Sequence, residues 1–475
     1  LAGVLNINSE DKIYTIEMGN AIMAGNEMVL DAEWTRVDGG TNMEMKVHAG
    51  GVQPSVLLHH IWPQMPENIR TLNIKGKSDI IFSLNGPFTK DQGPQLDATI
   101  RTRNGSLVFQ QTDVTDLNFE GKLFMKDIKQ SKAMEITFDK FELKTPNGEV
   151  KGKGKLTDLS NPRLRLSCTG KSRLEELIKV AEIQEEIEGS GAISWTLDFE
   201  GPLGKEFQTT VKELKQMRWS GVVNLANTNL KFQDGIPQIK EFSAQIEMKL
   251  DKTVVKDCKG KIGHIEFTGE VEVARLKELL TNSSTPLNLT GTINIKDLDV
   301  SKLPTEWQFT SSETDAGTSS RPTTINLSST IEKVAYNDFT ATNVAGFINM
   351  ENDVLNISNL KFNALDGQVS TNLSFRPNTA GFVLEMNPTL RTITSSALKG
   401  KASATLLTTV YLDKEYQVLM DKLEVETDIE ISGGQLIDFE PLMAMSRFIS
   451  VDELQDVKFD TLRNQLSIRD SKLWL

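Results

Sequence analysis

Few residues in this sequence could do catalytic or metal chemistry. It contains four histidines, His48, His59, His60 and His264. His59 and His60 are adjacent in a stretch with a helical pattern, so their side chains point in different directions and cannot hold one metal ion as an i, i+4 pair would. His48 and His264 stand alone in predicted strands, where ordinary sheet residues are expected. The sequence therefore predicts no metal site.

Motifs for nucleophilic or phosphate chemistry are also lacking, since no G-x-S-x-G elbow is present. The stretch GKGK, 152–155, lacks the spacing and following helix of a phosphate loop, and its alternating lysines are typical of a solvated strand face. The acidic run EIQEEIEG, 182–189, is typical of the wet side of a helix that ends at Gly189. Carboxylates are abundant enough to supply a catalytic pair of the glycosidase type, but no spacing in the sequence identifies such a pair. We predict that the protein is not an enzyme and uses no cofactor.

Charge and cysteine content limit the partners. With 65 acidic and 52 basic residues the net charge is -13. Nucleic-acid binding needs a clustered basic surface, so this balance argues against a nucleic-acid partner and disfavours an anionic membrane surface. Cys168 and Cys258 fix little about the redox compartment, since they are either a disulfide pair or two small core residues.

Targeting segments are expected outside the given sequence. No window approaches the roughly 18 consecutive apolar residues of a membrane-spanning helix. The start at Leu1 lacks the charged region and apolar core of a signal peptide. The chain opens and stops inside alternating runs, so we expect further protein at both ends.

Alternation of apolar and polar residues dominates the chain and predicts strands of sheets with one buried face, mostly antiparallel. Turns such as VDGG, TPNGE and ALDGQ supply the Asn, Asp and Gly that tight hairpins need. The predicted fold class is mainly β, an elongated curved antiparallel sheet of repeated β modules that forms a β-groove, with a few short helices.

Internal repetition organises the strands. Gly76, Gly191, Gly291 and Gly400 open alternating runs about 100 to 115 residues apart, each after a short helix-like segment. Two further stretches, LGKEFQTTVKEL and LDKEYQVLMDKL, resemble each other about two module lengths apart.

This repetition predicts five regions along the chain. They are module 1 at 1–88 with a helix near 55–65; module 2 at 89–203 with a helix at 172–188 and a capping box of Ser172 and Glu175; module 3 at 204–303 with helices near 205–217 and 274–281; module 4 at 304–412 after a mobile loop at 310–324; and a terminal region at 413–475 with a helix at 439–449.

The predicted helix at 439–449 interrupts the strand pattern. Asp438 suits an N-cap and Pro441 the first helical turn, where its missing N–H costs nothing. Leu442, Met445 and Ile449 form an apolar stripe at helical spacing. This helix either plugs a groove or docks a partner, or it simply closes the core of the last module.

The same stretch, GGQLIDFEPLMAMSRFI, continues through DELQDVKFDTLRNQLSIRD and resembles the C-terminal signature of the AsmA family of Gram-negative bacteria. Upstream, GEVEVARLKELL and LTGTINIKDLDVSKL are similar to the weaker repeated strands of that family. The family pattern continues into further strands beyond the position of Leu475. The matching positions are Gly434, Leu436, Asp438, Phe439, Glu440, Pro441, Leu442, Phe448, Phe459, Leu462, Ile468 and Asp470.

That resemblance implies a periplasmic protein tethered by an N-terminal inner-membrane helix, which would lie upstream of this chain. It implies a repeating β-groove that helps lipids travel between inner and outer membranes, related to bridge-like lipid transfer proteins. It also implies links to outer-membrane biogenesis and cell-envelope integrity. It supplies no catalytic residues.

The leading hypothesis is a non-enzymatic periplasmic protein that binds or conducts phospholipid acyl chains, with envelope proteins as further partners. Each methylene removed from water is worth about 0.8 kcal/mol, so a continuous apolar groove would lower the barrier to lipid transfer. The groove candidates are Phe267, Val271, Val273, Leu355, Ile357, Leu373 and Phe375.

Two alternatives remain. A structural or assembly factor for outer-membrane protein biogenesis would have a filled core and an interaction edge. A carbohydrate-active β-solenoid enzyme would gather carboxylates and aromatic residues in one cleft, and the six scattered tryptophans count against it.

Overall fold

The structure is a computed structural model that describes most of the chain. Within the described ranges, no helix has the length and apolar character that crossing a bilayer requires. The described residues are 2–8, 12–23, 26–55, 73–109, 111–130, 134–158, 161–180, 184–185, 187–204, 211–232, 238–249, 251–276, 278, 285–302, 323–351, 354–379, 381–393, 398–413, 417–437 and 456–474.

The chain divides into two units, unit 1 at Leu1–Thr253 and unit 2 at Val254–Leu475, and strands dominate both. The strands of unit 1 are β1 (Ala2–Asn8), β2 (Ile13–Met23), β3 (Asn26–Val37), β4 (Gly40–Val52), β5 (Lys75–Thr89), β6 (Gln95–Phe109), β7 (Thr112–Met125), β8 (Met134–Thr145), β9 (Gly148–Thr157), β10 (Arg163–Arg173), β11 (Ile187–Pro202), β12 (Arg218–Phe232) and β13 (Ile239–Met248). Next along the chain comes β14 (Lys252–Ile262).

The remaining strands belong to unit 2. They are β15 (Ile265–Ala274), β16 (Leu287–Asp299), β17 (Thr323–Tyr336), β18 (Phe339–Glu351), β19 (Val354–Ala364), β20 (Gly367–Asn378), β21 (Gly381–Met386), β22 (Thr389–Ile393), β23 (Leu398–Leu412), β24 (Glu424–Ile437), β25 (Asp456–Arg469) and β26 (Lys472–Trp474).

Strand pairing in unit 1 follows chain order. From β1 to β13, each strand pairs antiparallel with the next one along the chain. Antiparallel neighbours need only short connections, which the predicted turns provide. In the predicted VDGG turn, Gly39 adopts a φ of 77°, a conformation that glycine reaches without strain.

Unit 2 is also antiparallel, with one exception. Strands β16 and β17 run parallel, in a register that places Leu289 beside Ile325. Among the described residues, the other strand pairs from β15 to β26 run antiparallel. Strands β21 and β22 pair with the same two neighbours and are separated by Asn387 and Pro388, because proline cannot donate a ladder hydrogen bond. The mainly β, mostly antiparallel fold predicted from alternation is confirmed.

The helices are shorter than the sequence predicts. The helix predicted at 172–188 is α1 (Leu174–Val180), and Ile187 already pairs with Phe232 in the sheet. Gly189, the predicted helix end, therefore lies in β11. Ser172 belongs to β10, where its Oγ donates to Glu176 Oε2 at 3.0 Å, in place of the predicted capping box with Glu175.

Other predicted helices fall largely outside the described residues. The helix near 205–217 is described only as α2 (Val211–Gln216). The stretch near 55–65 lies mostly outside the described residues, half of 274–281 does, with Ala274 still in β15, and 439–449 lies wholly outside them. Two 3₁₀ turns are Val300–Lys302 and Met420–Lys422.

Two smaller predictions also change. The loop predicted at 310–324 lies outside the described residues up to 322, while Thr323 and Thr324 already belong to β17. His264 lies in a turn rather than a strand. His48 is an exposed strand residue of β4, as predicted, and His59 and His60 lie outside the described residues.

The four repeated glycines all lie at or near the beginning of strands, in β5, β11, β16 and β23. At Gly76, Gly191 and Gly400 the register with the following strand shifts, which marks a local irregularity. Gly76 and Gly191 have φ of 124° and 126°. The irregularity accounts for glycine at three of the four positions, whereas Gly291 lies in unbroken register, and the division into five regions stays a prediction.

Glycines on the apolar face of unit 1 lie under aromatic rings. A Cβ at Gly170 would overlap the indole of Trp195, and one at Gly152 would come within 2.6 Å of Phe141 Cζ. In both pairs the glycine lies directly opposite the aromatic residue on the neighbouring strand. A ring lying across a glycine restores the contact area that glycine lacks.

Replacing Gly170 by alanine should therefore destabilise unit 1, because the indole of Trp195 must move to admit the methyl group. We expect a loss of about 1 to 3 kcal/mol in the free energy of unfolding, measured by urea denaturation. Gly50→Ala is the matched control, since a Cβ there meets only Asp79 Oδ1 at 3.7 Å. Equal stabilities of the two variants would contradict the ring-over-glycine account.

Candidate functional site

The seven groove candidates of the sequence lie on one face of the unit 2 sheet. Strand register connects them, because directly paired residues share a face and alternate residues along a strand do too. One row of paired residues, here called row A, runs through Val273, Leu289, Ile325, Met350, Leu355, Phe375, Leu384 and Val410. A second, row B, runs through Val271, Gly291, Leu327, Ile348, Ile357, Leu373, Met386 and Thr408.

Phe267 belongs to the same face. It lies on the side of Val271 and pairs with Ile295, which pairs in turn with Ile331 and so with Val344. Sequence alternation could identify apolar residues within each strand. Only the register shows that residues from β15, β19 and β20 meet on one surface.

The opposite face of unit 2 is polar along its whole matching row. Asn349 Nδ2 donates to Asn326 Oδ1 at 2.8 Å, so amide side chains bridge neighbouring strands there. The row is formed by Glu272, Thr290, Asn326, Asn349, Asn356, Ser374, Glu385 and Thr409.

The apolar face is only partly covered. All seven candidates are half-buried rather than buried. Phe375 stacks on buried Phe382, with ring centroids 5.1 Å apart, which fixes one part of this surface. A closely packed core would bury such side chains completely, so this face keeps apolar surface that a ligand could cover.

The extent of rows A and B suits a long apolar ligand. Eight strands about 4.8 Å apart span about 34 Å from β15 to β23. An acyl chain standing in one leaflet occupies about half of the roughly 30 Å hydrocarbon thickness of a bilayer. A single chain therefore needs only part of the rows.

Unit 1 repeats the alternation but packs its apolar face more completely. One row joins Leu30, Val47, Phe82, Ala98, Leu123, Ile136, Leu156 and Leu164. Ile80 and Met134 are each 1% exposed and lie in two clusters of buried residues. Of the two lysines in GKGK, Lys153 is exposed as predicted, but Lys155 is half-buried and pairs with Glu135 Oε2 at 2.7 Å, and Gly152 faces Phe141.

Open cavities of unit 2 lie against its polar side. One of about 930 Å³ is walled by side chains that alternate away from rows A and B, among them Ser403, Asp428 and Arg463. A neighbouring one of about 520 Å³ includes Glu426 and Trp474. The two cavities share Asp428 and together form one trough that contains carboxylates and an aromatic residue. The scattered positions of the tryptophans in the sequence did not predict this arrangement.

The carboxylates of this trough are engaged by neighbours. Arg463 Nε donates to Glu430 Oε2 at 2.9 Å, and Gln465 Nε2 donates to Asp428 Oδ1 at 2.7 Å. Arg469 donates to Glu426. Cross-strand pairing accounts for these residues as sheet-stabilising contacts. Among the described residues, no group of three or more His, Cys, Asp or Glu is placed to hold a metal ion.

The predicted signature helix residues Asp438, Phe439, Pro441, Leu442 and Phe448 lie outside the described residues. The strands on either side of them are described. Their register pairs Ile437 with Asp456, so 438–455 connects directly neighbouring antiparallel strands at one end of β24 and β25.

Other signature positions face each other across those two strands. Phe459 pairs with Gly434, and a Cβ at this glycine would overlap the phenyl ring. Leu462 pairs with Ile431. Glycine and phenylalanine therefore form the same ring-over-glycine contact as in unit 1, a local reason for both residues.

Comparison with family models, with curated proteins and with solved structures returns no match.

Both cysteines are free thiols and buried, so the disulfide alternative is excluded in this structure. Cys168 lies on the apolar face of unit 1, between Gly152 and Leu197 in register. Cys258 Sγ donates to the carbonyl oxygen of Gly269 at 3.0 Å. Burial raises the pKa of both thiols above the ordinary cysteine value.

Thiol reactivity should follow from this burial. Since thiolate is the reactive form, a raised pKa and poor access predict that Cys168 and Cys258 react with Ellman's reagent much more slowly in the folded chain than after denaturation at the same pH. The rate in the folded chain should still rise at pH 9 relative to pH 7. Folded and denatured chains reacting at one rate would contradict the buried placement.

Proposed function

We propose that this protein binds the acyl chains of phospholipids along the apolar face of unit 2 and acts as a non-enzymatic lipid carrier or conduit. The observation that carries the proposal is the register of rows A and B. They bring half-buried apolar residues from many strands onto one continuous face, while the other face is polar.

The energetics support lipid as the ligand. Each methylene that leaves water is worth about 0.8 kcal/mol, so even partial cover of a chain by these rows gives substantial stabilisation. Rows A and B contain one polar side chain, Thr408, which is buried, and no charged one, so polar headgroups would stay in water. Affinity should therefore depend on chain length more than on headgroup.

The cellular setting rests on the sequence resemblance alone. The AsmA-like positions at 434–470 support a periplasmic protein anchored in the inner membrane upstream of this chain. In that setting the acyl-binding face would help phospholipid pass between inner and outer membranes and so support envelope integrity.

Site-specific photo-crosslinking tests the proposal residue by residue. A benzoylphenylalanine at Phe375, incubated with phospholipid in the full chain, should form a covalent lipid adduct detected by intact-mass spectrometry. The same group at Ser374 is the matched control, because this neighbour points to the polar face. Phe267 and Thr268 form a second such pair in β15.

Adducts at Phe375 and Phe267 but not at Ser374 and Thr268 are expected. Equal labelling at both members of each pair, or labelling of the polar members only, would exclude rows A and B as the lipid site. Urea denaturation of each labelled chain verifies that it is folded.

Charge placed on the apolar rows should block binding. The double variant Leu355→Glu/Leu373→Glu adds two carboxylates that an acyl chain would have to desolvate, so we expect affinity for a fluorescent fatty acid to fall about tenfold or more. Asn356→Glu/Ser374→Glu adds the same charge to the polar face and should leave affinity nearly unchanged. The same loss in both variants would point to a general charge effect and contradict the proposal.

A structural or assembly role is the second candidate, and one observation favours it. Residues around Ile80 and Met134 in unit 1 are fully packed, as a scaffold with a filled core requires. That role predicts no lipid adduct at any of the four crosslinking positions in a folded chain.

A further inference from the structure

Four large apolar side chains are exposed together at one end of the strands of unit 2. Tyr336 and Phe339 flank the β17–β18 turn and are 54% and 42% exposed. Leu365, in the β19–β20 turn, is 59% exposed, and Val300, which follows β16, is 37% exposed. We call these four residues the tip cluster.

Strand order places the members of the tip cluster side by side. Asp299 pairs with Ala335, so Val300 lies beside the end of β17. Strand β18 pairs with β19, so the turn containing Leu365 neighbours the turn between Tyr336 and Phe339. The cluster is thus contributed by consecutive neighbours in one sheet, and not by scattered surface residues.

Leu365 carries a second, independent signal. Its φ is 51°, in the left-handed region where a bulky residue is strained, and Asp366 beside it has a φ of 57°. Tight hairpin turns normally place Asn, Asp or Gly at such positions. The neighbouring turn follows that rule, with Asn337 at a φ of 50°. A strained, exposed leucine is costly for folding alone, which points to a role for the side chain at the surface.

Carboxylates surround the tip cluster. Asp299, Asp338 and Asp366 lie beside it, and Lys302 Nζ pairs with Asp299 at 2.6 Å. The hydrogen bond from Lys302 holds the pKa of Asp299 at about 2, so this carboxylate is charged at neutral pH. The local excess of negative charge disfavours anionic lipid and leaves an uncharged or zwitterionic apolar phase as the fitting partner.

We propose that the tip cluster inserts into the interface of a zwitterionic lipid bilayer, docking this end of the unit 2 strands on a membrane. Tyrosine suits the boundary between headgroups and acyl chains, because it has an apolar ring and a polar hydroxyl. Phenylalanine, leucine and valine suit the layer just beneath. The inference rests on the proposed function in one respect only: docking would bring rows A and B to their source of lipid.

Flotation of the full chain with phosphatidylcholine vesicles tests the inference without any protein partner. Wild type should float with the vesicles, and Tyr336→Ser/Phe339→Ser should lower the partition coefficient about tenfold or more, since the two aromatic side chains together contribute at least that factor when they leave water. Leu407→Ser/Met420→Ser is the matched control, because these residues are 59% and 62% exposed elsewhere in unit 2. It should bind as wild type does.

Leu365→Asn separates docking from structure. Asparagine tolerates the left-handed conformation, so this variant should unfold at the same or a higher temperature while its vesicle binding falls. A merely structural leucine would give the reverse, lower stability with unchanged binding. Replacing part of the phosphatidylcholine by phosphatidylglycerol should weaken binding of wild type.

Several results would overturn the inference: no binding of wild type to phosphatidylcholine vesicles, unchanged binding of the tip variants, an equal loss in the control, or stronger binding with phosphatidylglycerol. Binding of a monomeric fluorescent fatty acid keeps the two proposals distinct. Tip variants should retain it. Wild type that binds vesicles but not the fatty acid would refute the acyl-binding face alone, and the opposite pattern would refute docking alone.

Discussion

Backbone hydrogen bonding between neighbouring strands is the constraint on which the functional surface depends. A ladder fixes the register, and a slip of one residue would send every side chain of a strand to the opposite face. In unit 2 the register is maintained through Val273, Leu289 and Ile325, across both antiparallel and parallel pairs. Continuous apolar and polar faces follow from that, although each strand contributes only two residues to rows A and B.

Incomplete cover of the apolar face distinguishes unit 2 from an ordinary sheet protein. A sheet normally buries its apolar face under helices or a second sheet. In unit 1, Ile80 and Met134 are fully buried, although Phe82 and Ile136 on the same face are half-buried. In unit 2, Leu355 and Phe375 stay half-buried, so the free energy of covering them is available to a ligand. That difference between the units is what favours binding over a purely structural role.

Alternation was sufficient to predict the mainly β fold and the seven apolar candidates, because a period of two is a local property of each strand. It could not predict their common face, since register depends on pairings between distant residues. The end of α1 was missed because EIQEEIEG suits a helix, yet pairing of Ile187 with Phe232 draws this segment into β11. Tertiary hydrogen bonding outweighed local propensity there.

The parallel pairing of β16 with β17 and the polar trough likewise could not be predicted from the sequence. Nothing in the alternation of β16 and β17 distinguishes parallel from antiparallel neighbours. Trp474 shares a trough with Glu426 only because β26, β25 and β24 are adjacent. Gly152 was assigned to a solvated strand, but its contact with the ring of Phe141 needed the paired strand to be seen.

Native mass spectrometry of the full chain, purified without detergent from cells that synthesise phospholipid, tests the central claim most directly. We predict bound species whose added masses match phospholipids of several headgroups and whose occupancy increases with acyl-chain length. A folded chain that carries no lipid, and acquires none when phospholipid is supplied, would contradict an acyl-binding face.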